Sequence, residues 1–168
     1  DTSLFNFKNT TVKNIDFNAL KQQDIIFINE VKDFSSGLIN GLNNFTKNGG
    51  SIAIFPPKEI DLTSYNHTLR QLRIATFSEL KTQSVLLENI NIKHSIFKQV
   101  FEGKLDKINF PEIKKYYPII SENNSNSAAL LTQENKADFL SVFSKEKGLI
   151  YLFNSPLDIK FNNFSKHA

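Results

Sequence analysis

The chain has 168 residues and a formal net charge of +3, with 40% apolar and 22% charged residues. This composition is typical of one globular domain, and a domain of this length buries roughly 70% of the surface of its unfolded chain. No cysteine is present, which excludes disulfides, thiolate metal sites and a cysteine nucleophile. The apolar runs are shorter than the roughly 18 residues of a membrane span. The lysines are scattered along the chain, so we predict no nucleic-acid binding.

The clearest predicted unit is a strand, a helix and a second strand in the first third of the chain. Residues 1–20, which precede it, are polar and predict a short strand or an extended arm, followed by a turn into Asn18-Ala19-Leu20. Residues 24–29 and 51–55 are continuous apolar runs, typical of strands that are covered on both faces, and Pro56-Pro57 ends the second run. Two such strands joined by one helix are predicted to be parallel neighbours with a right-handed crossover.

The helix between these strands is predicted from its end signals and its apolar spacing. Asp33 or Ser35 is suited to cap the first turn, and Lys47 followed by Gly49-Gly50 is typical of the last turn. Apolar residues recur on one helix face, at Phe34, Leu38, Leu42 and Phe45. We interpret this stripe as part of the hydrophobic core rather than as a cofactor site.

Beyond residue 57 the pattern predicts a strand-rich half. Thr63-Ser64 can cap a helix that runs through Leu72. Strands are predicted at residues 77–80, 85–92, 116–120 and 128–132. Residues 139–153 predict a hairpin with Gly148 at the exit of its turn. Either Phe161 or Phe164, or both, is predicted to pack back on the sheet, because burying each ring is worth roughly 1.5–3 kcal/mol.

Two groups of motifs carry a resemblance to known families. Residues 24–57, where the helix ends in Lys-Asn-Gly-Gly before a strand, resemble the class I glutamine amidotransferase-like superfamily. Residues 90–97 resemble an I-N-x-x-H-P-x-F motif, with Ser95 in place of the proline. Further matching segments follow in order, at residues 130–131, 138–140, 147–152, 155–157 and 162–168. Together these segments are similar to the extracytoplasmic region of Bacteroidetes membrane proteins related to the aerotolerance-operon BatA family.

The resemblance implies both a fold and a cellular setting. The expected fold is a three-layer α/β domain, amidotransferase-like or flavodoxin-like, with a parallel sheet and a strand-rich C-terminal half. The expected setting is the bacterial cell envelope, on the periplasmic side of the inner membrane, in a protein that begins with a double-transmembrane segment. No methionine is present, even at position 1, so we expect residues 1–168 to be a single domain excised from such a protein. Its partners would be other envelope proteins, and it would meet the membrane only through segments outside this chain.

The motifs of common catalytic and cofactor sites are missing from the sequence. Active amidotransferases of the superfamily place a cysteine on a sharp turn after a strand, where this chain has Pro56-Pro57-Lys58. Gly49-Gly50 precedes a strand rather than a helix, which predicts a helix cap and no phosphate loop. His67, His94 and His167 lack metal-ligand spacing, and His94 is predicted to bond to backbone in a turn. We therefore predict no metal, no cofactor and no catalytic residue.

A candidate site remains at the carboxyl ends of the predicted strands, where open parallel sheets bind ligands. The polar residues predicted at this strand-end cleft are Asn29, Glu30, Lys58, Glu59, Asn154 and Ser155. Asp158 and His167 could also meet as an acid–base pair, although separate solvated residues are the simpler interpretation. The first functional hypothesis is a non-catalytic interaction or scaffolding domain. The alternative is a hydrolase or a small-ligand-binding domain that uses the strand-end cleft.

Overall fold

The computed structural model describes residues 6–97, 109–121 and 126–166. The helices are α1 (Phe17–Leu20), α2 (Ser36–Lys47) and α3 (Leu62–Gln71). The strands are β1 (Ile25–Asn29), β2 (Ser51–Phe55), β3 (Thr76–Phe77), β4 (Val85–Ile90), β5 (Glu112–Ile113), β6 (Ile119–Ile120), β7 (Ser127–Gln133), β8 (Asp138–Lys145) and β9 (Gly148–Phe153). Short 3-10 turns occur at Val12–Asn14, Ser95–Phe97 and Phe164–Lys166. Within these ranges, no helix has the length and apolar character needed to cross a lipid bilayer.

Seven strands form one mixed sheet in the order β1-β2-β9-β8-β7-β4-β5. The predicted parallel pairing of β1 with β2 is confirmed, with Ile26 opposite Ile52, and β9 continues the parallel part beside β2. The other four pairings are antiparallel, so the expectation of a parallel sheet holds only for β1, β2 and β9. The physical reason is local, because β8 and β9 are joined by a two-residue turn, and so short a connection permits only antiparallel strands. β3 and β6 form a separate antiparallel pair.

The ends of α2 follow the sequence signals, whereas the start of α3 does not. Ser35, not Asp33, caps α2, and its Oγ accepts a hydrogen bond from the Leu38 amide at 3.2 Å. Gly49 has φ 105°, the left-handed backbone expected after a helix. For α3 the predicted cap at Thr63-Ser64 is wrong. Asp61 caps this helix instead, because its carboxylate accepts from the Ser64 amide at 2.8 Å.

The three helices pack on one face of the sheet. Buried side chains from α2 and α3 join those of β1, β2 and β9 in one hydrophobic cluster, and α1 packs against α2. The cluster on the other face is formed by strands and by non-helical segments. The expected third layer of helices is therefore not found in the described parts of the chain. β1 is also not covered on both faces as predicted, since Ile25 is 42% exposed and Phe27 is 57% exposed. Both side chains lie on the helix-free face at the edge of the sheet.

The β8–β9 hairpin is confirmed, with Gly148 at the exit of its turn as predicted. The turn residue with a left-handed backbone is Glu146, with φ 49°, and Gly148 is already the first residue of β9. A Cβ atom on Gly148 would lie 2.5 Å from the carbonyl oxygen of Thr46 and closer still to that of Gly50. Gly148 is thus required because the end of α2 and the start of β2 press against the hairpin backbone.

The two C-terminal phenylalanines pack back on the domain, as predicted. Phe161 is buried, and the amides of Lys114 and Lys115 both donate to its carbonyl oxygen. The ring of Phe164 lies 5.6 Å from that of Phe139 and 6.5 Å from that of Phe153, between ring centroids. The segment after β9 is therefore part of the fold up to the 3-10 turn at Phe164–Lys166. His167, the proposed partner of Asp158, lies outside the described residues.

Candidate functional site

An ion cluster lies where β1 and β2 end. Lys58, three residues after β2, places its Nζ 2.7 Å from Asp158 Oδ2 and 3.9 Å from Glu30 Oε1. Glu30 directly follows β1 and has φ 52°, a left-handed backbone that is uncommon for a residue with a side chain. We call Glu30, Lys58 and Asp158 the strand-end ion cluster. Sequence analysis placed Glu30 and Lys58 at this edge but assigned Asp158 no role here, because its cationic partner lies far away in the sequence.

The electrostatics of the strand-end ion cluster centre on the Lys58–Asp158 contact. The hydrogen bond from Lys58, followed by that from the Lys160 amide at 2.8 Å, holds the pKa of the Asp158 carboxyl below its ordinary value. The same hydrogen bond to Asp158, then the charge of Glu30, raises the pKa of Lys58. Because the Lys58 side chain is about half exposed, water screens the pair, so it fixes loop geometry more than it stabilises the fold.

This contact predicts a pH-dependent stability. A carboxyl whose pKa is lowered on folding stabilises the protein above its unfolded-state pKa, near 3.8, and this contribution is lost as the pH falls through the folded-state value. Asp158→Asn should therefore lower the free energy of unfolding at pH 6, and the difference from wild type should shrink below about pH 4. Urea unfolding at pH 6.5, 4.5 and 3 measures it.

The control for this experiment is Asp33→Asn, which removes a carboxylate outside the strand-end ion cluster. Asparagine at position 158 keeps an oxygen for the Lys160 amide, so the variant removes mainly the charge. A difference between wild type and Asp158→Asn that is constant across the three pH values would contradict the assignment.

Asn154 and Ser155 are buried and act in the structure rather than in a cleft. The Asn154 side-chain amide donates to the Asp138 carbonyl at 2.7 Å, and its backbone carbonyl accepts from the Tyr117 amide at 2.7 Å. The Ser155 hydroxyl donates to the Lys115 carbonyl at 2.9 Å and accepts from the Asn162 side chain at 2.8 Å. These two candidate residues therefore fasten neighbouring segments to the end of β9, and Asn154 does not join Glu30 and Lys58 in one pocket.

The two remaining candidate residues line separate depressions. Glu59 lies in a cavity of about 430 Å³ between the loop after β1 and the loop after β2, which is lined by Lys32, Asp33, Glu59, Ile60, Asp61 and Ser64. Asn29 lines a larger groove of about 560 Å³ between β1 and the chain around residues 6–10. Of the six residues predicted for the strand-end cleft, only Glu59 lines this mixed-charge cavity.

Of the histidines that the structure describes, neither His67 nor His94 lines either depression. His94 Nδ1 accepts from the Ile96 amide at 3.4 Å, which confirms the predicted turn histidine. His67 is exposed on α3. Across the parts of the chain that the structure describes, no group of three or more histidine, aspartate or glutamate side chains is arranged to hold a metal ion. The chemistry available at the strand ends is therefore hydrogen bonding and ion pairing by carboxylates and lysines.

Comparisons with known proteins identify the fold. No family model matches the sequence, and no curated protein matches it. Among solved structures, a cytoplasmic protein from Salmonella typhimurium aligns with a TM-score of 0.63 and 12% identity, over 84% of this chain and 63% of that protein. A ThuA-like protein from Bacteroides uniformis aligns with a TM-score of 0.60 and 14% identity, over 88% of this chain and 65% of that protein.

A third similar structure is the β-galactosidase from Rahnella sp. R3. It aligns with a TM-score of 0.59 and 16% identity, over 84% of this chain but only 21% of the enzyme. The chain thus spans less than two thirds of each of these three proteins. At such low identities the likeness concerns the fold alone. The chain has a mixed α/β fold whose structural neighbours include a ThuA-like protein, in keeping with a class I glutamine amidotransferase-like, flavodoxin-like arrangement.

Proposed function

We propose that this chain is a non-catalytic interaction or scaffolding domain of a membrane-anchored bacterial envelope protein related to the BatA family, located on the periplasmic side of the inner membrane. The observation that carries the proposal is the kind of residue that follows β2 at the carboxyl end of the sheet. Where active members of the superfamily expose a nucleophile after a strand, this chain buries Pro56 and Pro57. The next residue, Lys58, is engaged by Asp158 and Glu30.

The hydrogen bonds around these loops support a structural role for the strand ends. The Tyr117 hydroxyl donates to the Lys58 carbonyl at 2.8 Å, which fixes the loop after β2 from the interior. The Asn154 side-chain NH2 group and the Ser155 hydroxyl donate to backbone carbonyls, and the Ser155 hydroxyl accepts from Asn162. The Asn154 side-chain oxygen is buried without a hydrogen-bond partner. A nucleophile needs an adjacent base and an exposed, strained position, and these polar groups are instead committed to holding loops together.

The comparisons support a role as one part of a larger protein. In the β-galactosidase from Rahnella sp. R3, the matching region is about a fifth of the chain. A fold of this type therefore occurs within longer proteins. The envelope location and the membrane anchor rest on the sequence resemblance, and they need a direct test.

The test uses the full-length protein in its own bacterium. We expect it in the membrane fraction, resistant to carbonate extraction, with this domain cleaved by protease added to spheroplasts but not to intact cells. We also expect Lys58→Ala and Glu30→Gln to support growth of a deletion strain as well as the wild type does, since neither residue performs chemistry. An intact protein in the soluble cytoplasmic fraction would overturn the location.

The alternative function, a hydrolase or a small-ligand-binding domain, is favoured by one observation, the cavity of about 430 Å³ beside Glu59. A thermal-shift screen against sugars, nucleotides, amino acids and metals tests it, because a ligand at 100 times its dissociation constant adds about 2.7 kcal/mol. If a ligand stabilises wild type but not Glu59→Gln, or if Lys58→Ala abolishes function in the deletion strain, the alternative replaces the non-catalytic proposal. Asp33→Asn serves as a second variant of the same cavity.

A further inference from the structure

The ends of the parallel strands that lie opposite the strand-end ion cluster are rich in positive charge. α2 and α3 both end there, and the Asn43 side chain on α2 donates to the Gln71 carbonyl at the end of α3 at 3.3 Å. The β8–β9 hairpin turns at the same end of the strands, with Lys147 beside Gly49. The cations carried by these elements include both arginines of the chain and are Lys47, Arg70, Arg73, Lys145 and Lys147.

These cations lack acidic partners. Among the residues that the structure describes, none of the five forms an ion pair with a carboxylate. Two carboxylates, Glu146 in the hairpin turn and Asp24 before β1, also lie at this end of the strands. Together with about one negative charge equivalent from the two helix carboxyl ends, they balance only part of the charge of the five cations. Neighbouring like charges repel, and proteins normally relieve such repulsion with a carboxylate. This end of the strands therefore carries a net positive charge.

Lys145 and Arg73 form the centre of this basic end of the strands. The Lys145 ammonium donates a hydrogen bond to the Arg73 carbonyl, and its side chain is partly buried. This burial, together with the nearby Arg73 charge, lowers the pKa of Lys145 to about 8. An ammonium has three N–H groups, so two remain for a further acceptor. The amine is thus partly shielded from water, lies near the positive charge of Arg73, and has two N–H groups that can still donate hydrogen bonds.

Arg73 also occupies an unusual backbone position. It follows α3 with φ 54°, where the Ile74 amide closes the helix by donating to the Leu69 carbonyl at 3.1 Å. Glycine or asparagine usually takes this position, because a larger side chain costs conformational energy in the left-handed region. Arg73 is exposed, and its positive charge lies near enough to Lys145 to affect the pKa of that amine.

We propose that Arg73 and Lys145 form a binding site for an oxyanion, the carboxylate or phosphate group of a ligand or partner. A guanidinium offers a planar pair of donors, and an ammonium adds a compact charge, which is the combination that oxyanions favour. Lys47, Arg70 and Lys147 strengthen the attraction at longer range. This inference is independent of the proposed function, because the site lies at the other end of the strands.

The experiment titrates the ¹⁵N-labelled chain with sodium sulfate and follows amide chemical shifts, with sodium chloride at equal ionic strength as the reference. Sulfate keeps its charge between pH 6 and 9, so any pH dependence belongs to the protein. We expect saturable shifts at residues 73 and 145, weakened at least tenfold by Arg73→Gln and by Lys145→Gln. Lys93→Gln removes the same charge from an exposed turn and should leave the affinity unchanged.

Two further arms sharpen the result. Wild-type affinity should fall as the pH rises from 7 to 9, because Lys145 loses its proton in this range, whereas Lys145→Arg should keep its affinity at pH 9. Titration with inorganic phosphate and with succinate shows which oxyanion is preferred, and saturable binding of either supports the site.

Chemical-shift changes that rise linearly, match those in chloride, or persist in Arg73→Gln would overturn the proposal and leave Lys145 as a cap of α3. If Lys145→Gln fails to fold, Arg73→Gln and Lys145→Arg decide the question.

Discussion

Replacing Phe139 by alanine should destabilise the protein by about 3–5 kcal/mol, the usual cost of removing a fully buried phenylalanine. Phe139 is only 1% exposed and begins the core of β8. Its ring lies 5.8 Å from that of Phe153 and 5.6 Å from that of Phe164. The truncation therefore opens a cavity between a central strand and the C-terminal segment, and no single element can move to fill it. Urea unfolding followed by circular dichroism measures the loss.

The matched control is Phe27→Ala on β1, where the same truncation is made on a strand side chain that is 57% exposed. We expect a loss below about 1 kcal/mol there, because little apolar surface returns to water. Equal losses for the two variants would show that the helix-free face beside β1 is covered in solution.

Gly148→Ala should cost about 3 kcal/mol, at the upper end of the usual penalty for overpacking. The new methyl group would meet the backbone atoms of Gly50 and Thr46, and backbone cannot yield as a flexible side chain can. Relief would require the end of α2 to move away from the hairpin, which loosens the packing of Phe45 as well. Thermal unfolding by calorimetry should show a midpoint lowered by several degrees.

Gly37→Ala provides the comparison for this substitution. Its added methyl group makes ordinary contacts with the ring of Phe17, at 3.5 Å, and with Ser35 Oγ, at 3.9 Å. Alanine also favours the helix over glycine. We expect a gain of about 0.5 kcal/mol. If Gly148→Ala were as stable as wild type, the close contact between the hairpin and α2 would not exist in solution.

The parts of the fold that sequence analysis predicted well are those specified by neighbouring residues. β1 and β2 are short apolar runs with clear ends, and Ser35 and Gly49 mark the ends of α2 within a few residues of its apolar stripe. The position of the β8–β9 hairpin in the sheet was not predictable in this way. It depends on β9 inserting between β2 and β8, and nothing local to Gly148–Phe153 specifies β2 as its neighbour.

The candidate site also contains residues that could be placed from the neighbouring sequence and residues whose position depends on the whole fold. Glu30 and Lys58 could be placed at the strand ends because each follows a recognisable strand. Asp158 could not be assigned to them, since it meets Lys58 across about 100 residues of sequence, a separation at which contacts are set by the whole fold. Asn154 was placed at the correct edge, but its side chain turns inward to bond the Asp138 carbonyl. The position of a residue after a strand predicts at which end of the sheet it lies, but not the direction in which its side chain points.

The pairing of β2 with β9 has a consequence for biosynthesis. Ser51 lies opposite Leu149 in the register, so the unit of β1, α2 and β2 leaves the ribosome long before its neighbouring strand. At about 5–20 residues per second, that interval lasts on the order of 5–20 seconds. During it, the unpaired edge of β2 and the apolar face of α2 are exposed to other nascent chains and to chaperones. The hairpin of β8 and β9 forms from local contacts once residues 138–153 have been synthesised, and it completes the sheet. Truncations that remove it should therefore leave an aggregation-prone N-terminal half.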